Sequence, residues 1–249
     1  MSGHSKWATI KRKKEATDTK RSNMYAKLLR AVEVAAREGG GSVEGNMTLA
    51  SAVEKAKSFS VPNDNIERAI KRGAGALDDG ARYEEVTYEG YGAGGVALLV
   101  EALTDNRNRT AQDVRHAFTR NNGNLGETGS TAWMFSRKGV ILIEKNEAPD
   151  EERLLELGLE AGAEDLDDAE STWEVTTDPG AFGPVRDAIQ AEGIPIANAE
   201  LTMVPQSTVP VDGSQARGVL NLLEALEELD DVQAVYANFD IPEEVMASL

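Results

Sequence analysis

The first seventy residues carry apolar side chains at intervals of three and four positions, the spacing of amphipathic helices. The first such stripe consists of Met24, Leu28, Ala31 and Ala35. Glycines at 39–41 end it, because glycine disfavours the helix interior. The pattern therefore predicts a helix from about residue 22 to residue 38.

Two further helices are predicted in the same region. One begins with Asn46 as its N-cap and ends near residue 59. The other follows Pro62, and the three-residue spacing from Asp64 to the next glutamate is that of a capping box. Gly73 lies where a left-handed residue is expected to end this helix. The chain is therefore expected to begin with a three-helix domain.

The period changes to two after a glycine-rich linker at 73–82. Alternating β-branched residues predict two strands around the glycines at 90–95, followed by a helix at 107–121. Two strands at 131–137 and 139–145 are predicted to form a hairpin joined at Lys138 and Gly139. The remaining predicted elements are helix 150–161, strand 171–177, helix 180–192, strand 197–204, helix 214–229 and strand 233–239.

The order of these elements predicts a multidomain α+β protein, in which the three helices precede two ferredoxin-like (split βαβ) α/β modules. Residues 131–204, with four strands and two helices, are βαββαβ-like by themselves, whereas 83–125 lack a second helix and a last strand, which 206–240 supply. The predicted domains are a basic helical domain at 1–75, a discontinuous α/β module formed by 82–130 plus 206–249, and an inserted α/β module at 131–205. Three consecutive domains are the simpler alternative.

Charge is distributed unevenly along the 249 residues. The net charge is −17, yet the first thirty residues hold nine Lys or Arg against two acids. Residues 146–249 hold 3 basic and 25 acidic side chains. Such a cationic cluster attracts phosphates, because each neutralised phosphate releases a counterion. A solvated N-terminus is the alternative interpretation of the cluster, and an acidic region that secures solubility is the alternative for the C-terminal part.

The predicted nucleic-acid contacts are the cations of this cluster, one tryptophan and the basic side of the third helix. Trp7 can stack on an unpaired base or pack against the next domain. The predicted residues are Lys6, Trp7, Lys11, Arg12, Lys13, Lys14, Lys20, Arg21, Lys27, Arg30, Arg68, Lys71 and Arg72. Lys71 and Arg72 have a structural alternative, since cations stabilise the C-terminal end of a helix.

A second candidate contact lies where a predicted strand ends and helix 107–121 begins. Amide and guanidinium groups beside the free N–H groups of a helix start can bind a phosphate or a ribose. Helix capping by Asp105 and Asn106 is an equally good explanation. The possible contacts are Asn106, Arg107, Asn108, Arg109, Arg115 and His116.

Several other classes are not supported by the sequence. The absence of cysteine removes disulfides and thiolate metal sites and suits the cytoplasm. The glycines at 90, 92 and 95 match a dinucleotide-binding pattern, but a predicted strand follows them where a helix is required, so a hairpin turn is preferred. Asp165, Asp167 and Asp168 are expected to be a solvated acidic surface. We predict no catalytic set, no cofactor, no metal and no membrane association. The oligomeric state stays open.

Four stretches closely resemble the signature segments of a known family. They are GHSKWATIKRKK at 3–14, DNIERAIKRGAG at 64–75, YEEVTYEGYGAGGVALLVEALTDNRNRT at 83–110, and VRHAF at 114–118 with NNGNLGETGSTAWMF at 121–135. They identify the chain as a member of the YebC/PmpR family of probable transcriptional regulators, related to the mitochondrial translational activator of cytochrome oxidase. Ala93 and Thr131 depart from the family pattern, where proline and valine are common.

The resemblance implies a cytoplasmic, non-enzymatic protein that acts on DNA in some members and on ribosomes in others. Together with the basic cluster, it predicts a DNA-binding transcriptional regulator. The alternative is a ribosome-associated translation factor that binds rRNA or tRNA. A broad cationic surface suits a structured RNA as well as a DNA duplex, because shape and phosphate contacts dominate RNA recognition.

Overall fold

The computed structural model describes residues 18–75, 83–148, 150–169 and 171–241. Three helices come first, and two four-stranded antiparallel sheets with covering helices follow. In chain order the helices and strands are α1 (Asp18–Gly39), α2 (Met47–Ser58), α3 (Asn63–Gly73), β1 (Glu84–Tyr91), β2 (Ala97–Thr104), α4 (Arg107–Arg120), β3 (Asn124–Leu125), β4 (Phe135–Glu144), α5 (Glu151–Ala161), β5 (Ala163–Ala169), β6 (Thr172–Thr177), α6 (Phe182–Ala191), β7 (Asn198–Pro205), β8 (Val209–Pro210), α7 (Gly213–Glu227), β9 (Val232–Ala237) and β10 (Phe239–Asp240). The predicted α+β fold class is confirmed.

The three N-terminal helices share one apolar core. Val32 of α1, Leu49 of α2 and Ile66 of α3 are buried in it. Asn46 caps α2 as predicted, since its side-chain oxygen accepts a hydrogen bond from the backbone N–H of Leu49 at 3.1 Å. Its amide nitrogen also donates to the carbonyl oxygen of Ala35 at 2.7 Å. One buried side chain therefore starts α2 and fixes it to the end of α1.

The ends of α3 differ from the prediction. No side-chain cap is present at Pro62, so the expected capping box is wrong. Gly73 belongs to the helix, and the left-handed residue is Gly75, with φ +82°. A Cβ on Gly73 would lie 2.1 Å from the carbonyl oxygen of Glu33. Gly73 is therefore required because α1 and α3 approach closely there, and not because the chain turns.

The first sheet has the strand order β3-β1-β2-β9. β1 and β2 form the predicted hairpin, with Gly94 and Gly95 at φ +70° and +78° in the turn, so the preference for a turn over a dinucleotide site is confirmed. α4 and α7 pack on one face through a core that contains Phe118 and Leu222. The strand β9 thus joins this sheet after the whole of the second sheet has intervened in the sequence.

The second sheet has the order β5-β6-β4-β7, and α5 and α6 cover one face through Leu154 and Ile189. Residues 135–205 therefore build one sheet, whereas the first sheet is built from segments on both sides of them. This pairing favours the discontinuous arrangement, and the domain boundaries at 75, 82, 130 and 205 stay a proposal. A smaller cluster that includes Leu99, Tyr236 and Phe135 joins the two sheets.

Two elements of the second module were predicted wrongly. Residues 131–137 and 139–145 do not form a hairpin at Lys138 and Gly139, because β4 runs unbroken through both. A Cβ on Gly139 would lie 2.4 Å from Thr177 Oγ1 and 2.5 Å from the Phe182 ring, so glycine permits close packing of an extended strand. Strand β5 was not predicted, but Asp165, Asp167 and Asp168, which it carries at the sheet edge, are exposed, so the expected solvated acidic surface is confirmed. The module nevertheless has the order βαββαβ. The two strands predicted for the hairpin are the single strand β4, and β5 is the additional strand that restores the count.

Candidate nucleic-acid interface

The predicted interface is only partly within the described residues. Lys6, Trp7, Lys11, Arg12, Lys13 and Lys14 lie outside them, and Lys20 lies in α1 with a side chain that is not described. Their contact with nucleic acid stays a prediction. The cations that the structure does describe fall into three groups, according to what their side chains contact.

The first group faces solvent. Arg21 on α1 and Arg68 on α3 are exposed, and neither forms an ion pair with another described residue. A guanidinium group without a carboxylate partner can bind a phosphate without first breaking an ion pair. These two side chains are therefore the described members of the predicted set that are best placed to bind a polyanion.

The second group is paired within the helical domain. Arg72 lies 3.6 Å from the carboxylate of Glu33, a buried residue that also accepts from Arg37 at 3.1 Å. Lys71 lies 3.9 Å from Glu67, one turn earlier on α3. The Lys71 pair is exposed and contributes little to stability, whereas Arg72 helps to hold α3 against α1. The structure thus gives Arg72 an internal role beside the predicted contact.

The third group connects α1 to the first α/β module. Lys27 donates to the carbonyl oxygen of Glu227, and Arg30 donates to those of Leu103 at 3.3 Å and Asp230 at 2.9 Å. The Arg30 guanidinium also lies 3.0 Å from Asp231 Oδ1 and 5.2 Å from the centre of the Tyr83 ring. Both side chains therefore bind their own chain in this structure, and their contact with nucleic acid stays a prediction.

Asp231 is the centre of that connection. It is buried, and its Oδ2 accepts from Arg109 at 2.6 Å and from Thr110 Oγ1 at 2.7 Å. Burial by itself would raise the pKa of Asp231, but these hydrogen bonds and the charges of Arg109 and Arg30 hold it below its ordinary value. The carboxylate is therefore ionised at neutral pH and binds two guanidinium groups from different parts of the chain.

An open cavity of about 550 Å³ lies beside Asp231. Arg30 and Arg109 contribute to its wall, but five acids contribute as well: Asp105, Asp113, Glu228, Asp230 and Asp231. An anion entering the cavity would meet more negative than positive charge. The cavity is therefore unsuited to binding a phosphate.

The second candidate contact divides into two halves. Asn106 accepts from the backbone N–H of Arg109 at 3.2 Å, so the capping explanation is confirmed for this residue. Arg107 lies 3.5 Å from Glu84, and Arg109 binds Asp105 and Asp231. Asn108, Arg115 and His116 are exposed on the outer side of α4. Asn106, Arg107 and Arg109 thus make contacts at the start of α4, whereas the other three candidates face solvent.

Sequence reasoning missed an anchored loop between β3 and β4. The buried carboxylate of Glu89 accepts from the backbone N–H groups of Gly129, Thr131 and Ala132 at 2.6, 2.6 and 2.7 Å. Burial raises the pKa of a carboxyl group, but these three donors lower that of Glu89 below its ordinary value overall. Trp133, at the end of this loop, is 66% exposed. The sequence signal that could have indicated this anchor is Glu89 itself, a charged residue at a buried position of strand β1.

The described ranges hold neither a membrane-spanning helix nor a cluster of metal-binding side chains. None of the helices placed there is long and apolar enough to span a bilayer. In the same ranges, no three His, Asp or Glu side chains are grouped so that they could hold a metal ion.

Comparison with known proteins places the chain in a family. The profile of the TACO1/YebC protein N-terminal domain matches residues 5–76, and that of the TACO1/YebC second and third domain matches residues 83–239. A probable transcriptional regulatory protein of Rubrobacter xylanophilus is 57% identical over 249 residues, covering 100% of this chain and 99% of the relative. One of Geobacter sulfurreducens is 54% identical over 249 residues, covering 100% of both.

A solved structure shares the fold. The crystal structure of a conserved hypothetical protein from Aquifex aeolicus superposes with a TM-score of 0.80 at 48% identity, covering 92% of this chain and 94% of that chain. Sequence identity and fold therefore agree over nearly the whole length. These matches confirm the resemblance that the signature segments indicated, and the chain belongs to the TACO1/YebC family.

Proposed function

We propose that this protein is a regulatory protein of the cytoplasm that binds nucleic acid through its basic N-terminal region and has no catalytic role. The observation that carries the proposal is the charge distribution, with nine cations against two acids in the first thirty residues of a chain of net charge −17. An anionic body would orient the molecule with its basic end towards a polyanion. Arg21 and Arg68 extend the cationic surface onto α1 and α3.

For the target, we propose DNA and a role in transcription. The support is the name of the relatives, two of which are probable transcriptional regulatory proteins with 57% and 54% identity over the full chain. Phosphate contacts would supply most of the affinity, because a DNA duplex carries one charge for about every 1.7 Å of its axis.

A second candidate is a ribosome-associated translation factor that binds rRNA or tRNA. The observation that favours it is the pairing of the cations on α3. Lys71 and Arg72 pair with acids, and among the described contacts only Arg68 of these three has no acidic partner. A helix that reads bases in a major groove needs three or four side chains directed at base edges. A surface that contacts phosphates without reading bases suits a structured RNA.

The proposal is tested by removing four cations of the N-terminal cluster. We expect the variant K11A/R12A/K13A/K14A to bind a DNA duplex more weakly and to reduce the dependence of log K on log salt by up to about four units. The matched control, K138A/K145A/R153A, removes cations that pair with acids in the inserted module and should leave the slope unchanged. An equal slope in the wild type and the quadruple variant would refute the assignment of this surface.

The two targets are separated by two assays on the same protein. A gel shift with promoter duplexes beside random duplexes measures sequence preference on DNA, and sedimentation with ribosomes measures association with the ribosome. Promoter preference supports the first target. Affinity for promoters no greater than for random duplex, together with sedimentation that resists salt, supports the second target and contradicts the first.

A further inference from the structure

The helical domain formed by α1, α2 and α3 shares no apolar cluster with the α/β modules in the described part of the chain. Its own core lies wholly within residues 24–70, and the other three clusters contain only residues of the modules. The two sheets, by contrast, are joined by the cluster around Leu99, Tyr236 and Phe135. Domains that meet without a large apolar interface are expected to move relative to each other.

Cations of the helical domain hold it against the modules. On α1, Lys27 and Arg30 donate to backbone carbonyl oxygens of the first module, and Arg30 also binds the carboxylate of Asp231. On α2, Lys55 lies 3.7 Å from the carboxylate of Glu200 in β7. The partners of these three cations are all oxygen atoms, which is also what the phosphates of a nucleic acid offer. The modules therefore occupy cations that a polyanion would bind.

The contacts of α2 are weak. Besides Lys55 with Glu200, Glu54 lies 3.4 Å from Arg186 of α6. The Lys55 and Glu54 side chains are mostly exposed, at 56% and 72%. Exposed ion pairs contribute little to stability and are screened by salt. The contact between α2 and the inserted module can therefore be broken at low cost.

The contact of α1 can also be broken without leaving a buried charge unpaired. Oδ2 of Asp231 accepts from Arg109 and Thr110, which belong to the same module, so it keeps these partners when Arg30 leaves. Arg30 and Asp231 both line the open cavity, so water can reach Oδ1 in place of the guanidinium group. Departure of Arg30 thus exchanges one hydrogen-bonded partner for water.

The docked position is unfavourable for binding a polyanion. Around the cavity, Arg30 is accompanied by carboxylates of the first module, which are Asp105, Asp113, Glu228, Asp230 and Asp231. A phosphate that approached Arg30 there would be repelled by these groups. Movement of the helical domain away from the module would take Arg30 out of this negative surrounding.

We propose that binding of nucleic acid releases the helical domain from the α/β modules, which inhibit binding while the domain is docked. Phosphates compete with the oxygen atoms of the modules for Lys27, Arg30 and Lys55. The domain that carries the bound polyanion then separates from the acidic part of the molecule. The inference rests on the proposed nucleic-acid-binding function and describes its regulation.

Distances measured by double electron–electron resonance on the full chain test the movement. The chain has no cysteine, so spin labels attach only at introduced cysteines. The labelled pair S51C/Q190C spans from α2 to α6, and the control pair Q112C/Q190C lies within the modules, all at exposed positions. We expect a 24-bp DNA duplex to lengthen the first distance and to leave the second unchanged. A distance from 51 to 190 that stays the same with duplex bound would overturn the inference.

Removal of the acids that hold α2 tests the inhibition. E54Q/E200Q breaks both ion pairs of α2 with the inserted module and keeps every cation. Apparent affinity is the intrinsic affinity multiplied by the fraction of protein in the binding-competent state. Because two exposed ion pairs are lost, we expect E54Q/E200Q to bind the duplex up to about fivefold more tightly in fluorescence anisotropy.

The matched control is E156Q/E164Q. It also removes two acids from exposed ion pairs, but their partners Arg153 and Lys138 lie in the same inserted module. The change in net charge is the same in both variants, so the general attraction of the duplex rises equally. Circular dichroism melting shows that both are folded. Equal affinity of E54Q/E200Q and E156Q/E164Q would contradict the inhibition.

A covalent lock tests the same state from the opposite side. In K55C/E200C, a flexible bismaleimide joins the two positions and keeps the helical domain docked, and the same protein capped with N-ethylmaleimide is the control. Lys27 and Arg30 stay occupied in the locked protein. We therefore expect it to bind the duplex more weakly than the capped protein, with a salt slope smaller by up to about two units. Equal slopes would show that release is not required.

The outcomes separate this inference from the proposed function. If K11A/R12A/K13A/K14A loses affinity while E54Q/E200Q binds like its control, the release is wrong and the proposed function stands. If E54Q/E200Q binds more tightly than its control while the quadruple variant binds like the wild type, the N-terminal cluster is wrong and the release stands. If the wild type binds no duplex, both proposals fail.

Discussion

Replacing Asp231 with asparagine tests how the helical region is attached to the first α/β module. Asp231 accepts hydrogen bonds from Arg30, Arg109, Thr110 and Thr104, at distances from 2.6 to 3.3 Å. All four partners are donors. The substituted side chain keeps its shape but replaces one carboxylate oxygen with an amide that also donates. If the amide oxygen takes the place of Oδ2, the amide nitrogen faces the half-buried guanidinium of Arg30, which can only donate.

The magnitude follows from these contacts. A hydrogen bond to a charged group contributes about 1.5–3 kcal/mol, and an unsatisfied buried donor costs about 1–3 kcal/mol. The Arg109 side chain is 48% exposed, so water screens its ion pair with Asp231, although the Asp231 side chain itself is only 7% exposed. We therefore expect Asp231→Asn to lower the free energy of unfolding by about 2–3 kcal/mol.

The assay is urea unfolding followed by circular dichroism, together with hydrogen exchange read by mass spectrometry. The faster exchange should be concentrated at 99–112 and 25–33, where the partners of Asp231 lie. Asp113→Asn is the matched control, because it removes the same charge from the same cavity wall at an exposed position. It should change the stability by less than about 0.5 kcal/mol. Equal stability of the two variants would refute the central role of Asp231.

The lowered pKa of Asp231 adds a pH dependence. A carboxyl group whose pKa is lower in the folded state stabilises the protein above its pKa in the unfolded chain, which is about 3.9. This contribution is lost as the pH falls through the folded-state value. The stability difference between the wild type and Asp231→Asn should therefore be full at pH 6 and shrink below about pH 4. A difference that is the same at pH 3 and pH 6 would contradict an ionised Asp231.

Two other substitutions test the packing and the loop anchor. Gly73→Ala should destabilise the protein by about 1–3 kcal/mol in a thermal melt, because the new Cβ would lie 2.1 Å from the Glu33 carbonyl oxygen. Its control is Gly183→Ala in α6, where the added Cβ meets open space, and this variant should be neutral or more stable by up to about 1 kcal/mol. Glu89→Gln should lower the free energy of unfolding by about 1–3 kcal/mol and speed proteolysis at 126–134, because an amide nitrogen would face backbone N–H donors. If the loop of the variant resists proteolysis as well as that of the wild type, the charge of Glu89 does not hold the loop.

Local chemistry made part of this fold predictable. Asn46 caps α2, and Gly94 and Gly95 turn the first hairpin, because both features depend on a few neighbouring residues. The same reasoning failed at Gly139 and Gly73. Those glycines are required by close approach of Phe182 and of the α1 backbone, which are distant in sequence, and a turn and a close contact use the same residue type.

The site was predictable to a smaller extent. The cationic cluster and the exposed α4 residues Asn108, Arg115 and His116 follow from composition and helical period. The role of Asp231 could not, because its partner Arg30 lies two hundred positions earlier and no local pattern connects them. β5 was missed because aspartate is rare in strands, and its four carboxylates are accommodated at an exposed edge.

The pairing of β2 with β9 has a consequence for how the protein is made. Leu98 faces Ala237, so the hydrophobic strand β2 leaves the ribosome long before its neighbour has been synthesised. At about 5–20 residues per second, the delay is on the order of ten seconds. In that interval the sheet built from 135–205 has all its strands and can fold first. Until β9 is synthesised, the β9-facing edge of β2 has no partner strand and exposes apolar residues that can aggregate. We therefore expect β2 to need protection during translation.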